Sequence, residues 1–525
     1  MFKPNTEHNQ TNLFGFSNII SEDMLKELQE SKEMKFYELI FCNIKEEDFA
    51  CLYSEEGSRP NAPINCLVSA LLIMDKQKLT YERLFHNIKF NLLTKIALGL
   101  QTLDEVPFSE ATIFNFQNRL SNYFIQTGEN VFEKAFDHLT QKQLKELKLK
   151  TDIQRTDSFQ AASNIRKYTR LQLLVEMIIR LHRVITEEDQ RHYEELFSPY
   201  VKKTSGQFLY RLSSEDISVE YERIGKVYKE INDKLKSKYS SVEVFKIFER
   251  VYSEHFTVTG EKILIKTTEE LTSSMIQSPD DIEATYRKKH GKEFYGQTVN
   301  IVETCNPDNQ LNLLTDISVH ANNIDDSKGL NERIDILKEK TPKLKELHLD
   351  GAYPSEDNDK KFEEHSITPV QTAIRGKQAS GVKIKIEQIS ENKYLISCPN
   401  QTVDSKVSRK RFKAEFNLSI CSSCALASVC QLKRKKKSKV YYFTPEEYLK
   451  RKRLESIEKI PEERRSLRTN IEATVSEFVR KMNNRKLKVR GLFKAQVFAY
   501  SVGIGVNFGR IYRYLSSQSY LSTIQ

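Results

Sequence analysis

The chain has 525 residues, room for roughly three or four domains of ordinary size. It carries 82 Lys and Arg against 72 Asp and Glu, a net +10. An apolar fraction of 39% at this length supports folded cores and excludes wholesale disorder or a collagen-like chain. No apolar run is long enough to suggest a membrane span. The polar start, MFKPNTEHNQTN, lacks the apolar stretch of a secretory signal.

Residues 1–20 are expected to form a flexible leader, and 21–146 a helical N-terminal domain. LVSALLIMDKQKLTYERLFHNI places apolar residues at helical spacing, and PFSEATIFNFQNRLSNYFIQ forms a second helix with Ser109 as its N-cap. LKLKTDIQRTDSF alternates, so 147–159 is expected as a strand. Residues 165–280 return to a charged helical period, as in LQLLVEMIIRLHRVI, and form a helical insertion. Two strand-like runs follow, GQTVNIVETC and LNLLTDISVH, joined by NPDNQ as a hairpin. SKGLNERIDILKEK is an amphipathic helix. LKELHLD is a short strand ending at DGAY. SEDNDKKFEEHS is a helix with a Ser cap, and ITPVQTAIR another strand. Residues 381–454 hold a hairpin, VKIKIEQISENKYLISC, then a cysteine cluster with a basic run. A long helical tail follows from about residue 445.

The order is strand, helical insert, hairpin, helix, strand, helix, strand. It is that of an α/β fold of the RNase H-like kind, a mixed sheet assembled from 147–164, 281–380 and 455–525. A nuclease or transposase on this fold needs three carboxylates around two divalent metals about 3.5–4 Å apart, which clamp the attacking and leaving oxygens of an in-line displacement at phosphorus. Hard oxygen ligands suit Mg²⁺ or Mn²⁺. Asp157 sits on the first strand and Asp350 at the end of the fourth, with Gly351 after it for a sharp turn. Glu472 lies in a helix, with Arg468 one turn earlier. Asp152 is the alternative for the first position and Glu477 for the third.

The last 125 residues hold 28 Lys and Arg against 10 Asp and Glu, which leaves the first 400 with a net −8. Such a basic end beside an acidic remainder suggests a polyanion, most simply nucleic acid. A solvated Lys-rich surface is the competing reading. The run KRKKKSK at 433–439 is either a phosphate contact or a solvated loop. Arg480, Lys481, Arg485, Lys486, Lys488, Arg490 and Lys494 follow the Glu472 helix, where a DNA strand would enter. Arg287, Lys288 and Lys289 precede the hairpin, and Arg59 and Arg119 are weaker candidates. Gly491 suggests a turn before a last helix from Phe493 to about Leu515, whose Val497, Phe498, Val502 and Val506 read as packing. Cys398, Cys421, Cys424 and Cys430 are spaced so that four thiolates could hold a tetrahedral zinc, Zn²⁺. The gap before Cys430 is looser than a second metal knuckle, so reduced cysteines without metal remain the alternative. Cys42, Cys51, Cys66 and Cys305 read as ordinary core or surface residues.

Several of these segments, in this order, resemble bacterial insertion-sequence transposases of the DDE type. They are RTDSFQAASNIRKYTRLQL, SPDDIEATYRKKHGKEFYGQTVNIVETC, LHLDGAYPS and the late cysteines followed by RRSLRTNIEATVSEF. The resemblance runs from about residue 55 to about 515, and its helical N-terminal module begins near RPNAPINCLVSALL. It implies that Asp157, Asp350 and Glu472 are the three acids. Related transposases often set the third acid in a Tyr-x2-Arg-x3-Glu-x6-Lys pattern. Here Arg468 and Glu472 keep the middle step, while Arg465 stands at the Tyr position and Val479 at the Lys position, beside Arg480 and Lys481. The resemblance further implies double-stranded DNA as partner, both element ends and target, a homodimer on DNA, and a cytoplasmic, nucleoid-associated protein with no membrane contact. An RNase H-like nuclease that cuts without joining, or a transposase-derived DNA-binding protein that has lost catalysis, are the competing functions.

Overall fold

The computed structural model describes the chain except residues 11, 13, 14, 55–58, 211, 214, 261, 290, 372–381, 383, 391, 410 and 525. It divides into two compact units. One comprises Met1–Lys150, Asp157–Asp325 and Glu472–Gln525, the other Thr151–Thr156 and Asp326–Ile471.

The first unit opens with helices. Ile64–Gln77 is buried along most of its length and stops at Lys78, whose backbone is left-handed. The Ser109 hydroxyl accepts the Thr112 N–H and starts Glu110–Thr127, as its position predicted. Described residues of the expected leader contact the helices of this unit. Asn5 hydrogen-bonds Glu46 (3.1 Å) and Asn65 (3.0 Å), and Phe16 packs with Leu28 and Ile96.

β1 spans Ile153–Ala162, later than the expected 147–159. Lys148 takes a left-handed backbone (φ 51°) that no strand continues through. The alternating Leu147 and Leu149 pack instead against Leu144, Leu313 and Ile511. Helices fill much of the stretch that follows β1. Arg170–Val184, Asp216–Tyr239 and Glu243–His255 share a core that includes Val175, Ile178, Tyr228 and Phe248. It closes on a hairpin that the helical period did not announce, β2 (Phe256–Thr259) with β3 (Lys262–Ile265). β4 (Thr285–Lys289), β5 (Lys292–Thr304) and β6 (Leu314–Ala321) follow, antiparallel, with Val299 opposite Val319. The end of β1 lies beside β5, where Gln160 hydrogen-bonds Thr298 (3.0 Å). The last helix, Leu492–Ile524, packs on β6. A Cβ on Gly503 would come within 2.2 Å of Ile317, so glycine is what lets helix and strand close together.

In the second unit the first residues of β1 pair in parallel with β7 (Glu346–Leu349), from Ile153 opposite Glu346 to Arg155 opposite His348. β7 pairs in parallel with β8 (Thr368–Gln371). Residues 372–375 of the expected last strand lie outside the described residues. Parallel neighbours need crossovers, and these are helical. The segment expected as one helix is two, Asp326–Asn331 and Ile334–Lys340. Lys361 takes the Asn331 carbonyl (2.8 Å) at the break. Ser355 caps Glu356–Glu364 as predicted.

One hairpin was expected after residue 381. The structure instead builds a six-stranded antiparallel sheet from β9 (Lys385–Ser390), β10 (Lys393–Cys398), β11 (Gln401–Ser408), β12 (Arg411–Asn417), β13 (Lys433–Arg434) and β14 (Ser438–Phe443), in the order β13-β14-β12-β11-β10-β9. One face holds Ile396, Phe412, Phe416 and Phe443, with Tyr448 of the Pro445–Glu458 helix against it. The basic run is therefore not a loop throughout, because Lys433 and Arg434 pair with β14. The mixed sheet and its order of elements fit an RNase H-like α/β core. Among the described residues, no helix is long and apolar enough to cross a membrane.

Candidate active site and nucleic-acid contacts

Asp157 lies half-buried on β1, in the first unit, and its carboxylate accepts the Ser158 N–H (2.8 Å). Asp350 directly follows β7, in the second unit. One of its oxygens accepts the Gly351 N–H (2.6 Å), and the other is 3.8 Å from the Arg468 guanidinium. Arg155 on β1 donates to the Leu467 carbonyl (2.7 Å) and so anchors the segment that carries Arg468. Glu472 is exposed in the first turn of the Ile471–Val479 helix, where a carboxylate suits the helix dipole. Of the two rival acids, Asp152 joins the sheet through its backbone and Glu477 is engaged through its carboxylate. The Asp152 carbonyl accepts the N–H groups of Lys345 and Glu346 where the β1–β7 pairing begins. The Glu477 carboxylate binds Arg510 (3.0 Å) and Arg513 (3.1 Å).

The helix that carries Glu472 is locked by a buried ionic cluster in the first unit. Glu303, fully buried near the end of β5, accepts from the Thr474 hydroxyl (2.8 Å) and from Arg510 (2.7 Å). Arg510 also donates to Thr474 (2.7 Å) and to Glu477. Burial opposes the charge on Arg510, but Glu303 and Glu477 more than offset it and hold the guanidinium above its ordinary range. Sequence reading missed Glu303 and Arg510. The available signals were a lone acid closing an apolar strand, VNIVET, and a lone arginine in an apolar helix, VNFGRIY.

The basic segment after this helix joins the end of β1. Ala162 and Lys486 form a parallel bridge, and Asp281 accepts both the Ser163 hydroxyl (2.5 Å) and the Gly491 N–H (3.0 Å). Gly491 makes the expected turn with φ 86°. Arg480, Arg485, Lys494 and Lys288 are exposed, as a phosphate contact requires. Others of the expected contacts serve the fold. Lys481 donates to the Lys76 carbonyl (3.1 Å), Arg490 to the Asn164 carbonyl (2.7 Å) and Arg287 to the Asn322 carbonyl (3.3 Å). Lys488 is held below its ordinary pKa, chiefly by burial. Arg119 donates to the Leu52 carbonyl (3.1 Å) and lies over the Tyr53 ring.

Cys398, Cys421, Cys424 and Cys430 line one small cavity of about 20 Å³. The Asn400 and Gln401 side-chain amides donate to Cys424 Sγ (3.1 Å) and Cys421 Sγ (3.2 Å). Burial pushes the Cys421 thiol up. Cys42 and Cys51 are exposed, Cys66 and Cys305 buried, and all are free thiols. Among the described residues, no group of three or more His, Cys, Asp or Glu side chains is placed to hold a metal ion. The carboxylates nonetheless have the right chemistry, because Mg²⁺ keeps several waters and is commonly held by one or two protein carboxylates together with substrate phosphates.

Residues 392–512 match the family described as "Transposase DDE domain", and residues 18–119 match "Transposase domain (DUF772)". Comparison with curated proteins gave no match, and comparison with solved structures gave none. The two family matches indicate an insertion-sequence transposase of the DDE type, and transposases act on DNA.

Proposed function

We propose that this transposase binds the terminal inverted repeats of its element, cuts the DNA there and joins the freed 3′-OH ends to target DNA. One observation carries the reading. Asp350 directly follows β7, which pairs in parallel with the first residues of β1 from Ile153 opposite Glu346 to Arg155 opposite His348. The carboxyl ends of parallel strands are where α/β sheets gather their chemistry. Glu472 is the third acid, on a helix that Glu303 and Arg510 hold in place.

Asp157, Asp350 and Glu472 would hold Mg²⁺ or Mn²⁺, which activates water and stabilises the charge that develops at phosphorus. In the first step water attacks the phosphodiester, the bond from phosphorus to the 3′ oxygen breaks, and that oxygen leaves as a 3′-OH. In the second, the 3′-OH attacks a target phosphate and displaces a target 3′ oxygen, so no bond energy is lost. Arg468, beside Asp350, contributes positive charge near the developing phosphorane. Arg480, Lys481, Arg485, Lys488, Arg490, Lys494, Arg287 and Lys288 follow the DNA backbone, with Arg480, Arg485, Lys494 and Lys288 in direct contact. Two ends must be held together, so the working form is a homodimer on DNA, active at the nucleoid. Zinc at the four clustered cysteines is a separate proposal, supported by their shared cavity.

Labelled element-end DNA with Mg²⁺ tests the reading. The transposase gives nicks and then joined products. Nicks alone indicate a nuclease, and binding without nicks a protein that has lost catalysis.

A further inference from the structure

The six-stranded sheet of the second unit has an apolar face, and its opposite face carries cations at close quarters. Register places Lys406 on β11 directly opposite Lys413 on β12. Like charges across an antiparallel pair are destabilising, so the fold retains a local cost there. On the next strand Tyr442 stands opposite Lys413. The Arg411 guanidinium lies over the Tyr442 ring (4.0 Å), and Lys435 donates to its hydroxyl (3.0 Å). Lys435, with Lys413 and Arg411 nearby, holds the phenol below its ordinary pKa. Glu415, paired with Lys413, is the acid among them, and these same lysines depress its pKa. Three cations around one tyrosine, with Lys406 across the strand pair from Lys413, outnumber Glu415 and match a row of phosphates better than a solvated surface.

We propose that this outward face, centred on Lys406, Arg411, Lys413 and Lys435 around Tyr442, docks the phosphate backbone of double-stranded DNA. Its residues are other than the three proposed acids and those of the basic segment after Glu472. It rests on the DNA partner of the proposed function. Phosphate contacts of this kind fix register and orientation without reading sequence. Each one also releases counterions, which gives the test its readout.

The full-length protein and a fourfold variant, Lys406→Gln, Arg411→Gln, Lys413→Gln and Lys435→Gln, are titrated with fluorescent duplex DNA over a range of salt. The variant should bind about tenfold or more weakly at low salt. Its plot of log K against log salt should be shallower by about 0.9 for each phosphate it no longer neutralises. A control lacking Lys202, Lys203, Lys226 and Lys246, exposed on the helical insertion, matches the charge change. Unchanged affinity and slope in the fourfold variant overturn the proposal, as does an equal weakening in the control. Preferential displacement of the DNA by an acidic polypeptide would reassign the face and also overturn it. Should the fourfold variant not fold, the pair Lys406→Gln and Lys413→Gln, which relieves a repulsion, carries the same test. A parent protein that binds DNA with the expected slope but neither cuts nor joins it removes the transposition reading and leaves this surface standing.

Discussion

Two groups of charges in this protein are built in opposite ways. The Glu303–Arg510–Glu477 cluster is dry, and nearly every donor meets an acceptor inside the chain. The cations around Tyr442 are wet, outnumber their acid and oppose each other across strands. The contrast teaches that charge placed for position is satisfied internally, whereas charge placed for a partner is left in excess. A buried pair is costly to break by halves, while an exposed one is cheap to remove.

The largest effect concerns the proposed acids, one of which stands on the helix that the dry cluster holds. Asp157→Ala, Asp350→Ala and Glu472→Ala should each cut strand cleavage by on the order of 10³-fold or more while DNA binding, read by gel shift, stays near normal. Full cleavage by any one of them would remove that residue from the site. Next comes the cluster itself. Arg510→Met leaves Glu303 buried without its cation and should cost about 3–5 kcal/mol in urea unfolding. Arg510→Lys keeps the charge but loses the fork and should fall between. A loss as small as that of a surface substitution would break the comparison.

A third test uses a buried group without an acid partner. Burial, reinforced by Arg170 and Lys266, lowers the His255 pKa from 6.5 to about 3. The unfolded chain therefore takes up a proton below pH 6.5 that the folded chain refuses until about pH 3, so this contribution to stability is intact above pH 6.5 and is lost as pH falls through that window. The urea midpoint of the parent should fall over this range more than that of His255→Gln. Identical pH profiles would deny the burial its role. For the cysteines, metal analysis should find about one zinc per chain, and Cys421→Ser should lose it. Metal-free protein with unchanged folding in the variant would leave four reduced thiols around a cavity. The smallest effect belongs to the wet face, where the fourfold glutamine variant should move the unfolding midpoint by no more than an ordinary surface substitution does.

Much of the α/β core was legible because its signals are local. NPDNQ between alternating runs announced β5 and β6, LHLDGAY announced β7 and its turn, and Ser109 and Ser355 announced their caps. The start of β1 was misplaced because Leu147 and Leu149 alternate for a different purpose, packing on a helix and a loop. Most of the second sheet was hidden by composition. Phe412, Ala414 and Phe416 do alternate, but lysines and arginines crowd the facing positions and the turns lack strong glycine signals. The acids were legible only through motif order. Spacing cannot choose three carboxylates among 72, so Asp157, Asp350 and Glu472 rest on the order of the motifs around them. Glu303 and Arg510 each left a local trace, but their pairing was hidden because the two partners are 207 residues apart in sequence.

The helical insertion has one more consequence, for the order of events during folding. It separates β1 from β5 by more than a hundred residues, yet Ser163 and Asp281, at its two ends, share a hydrogen bond. Closing so long a span in a random coil costs conformational entropy before any pairing rewards it. An insertion with its own apolar core can collapse first and deliver its ends side by side, which turns a distant strand pairing into a near-local one. Deleting or loosening that core should therefore slow refolding of the sheet more than it weakens the finished structure.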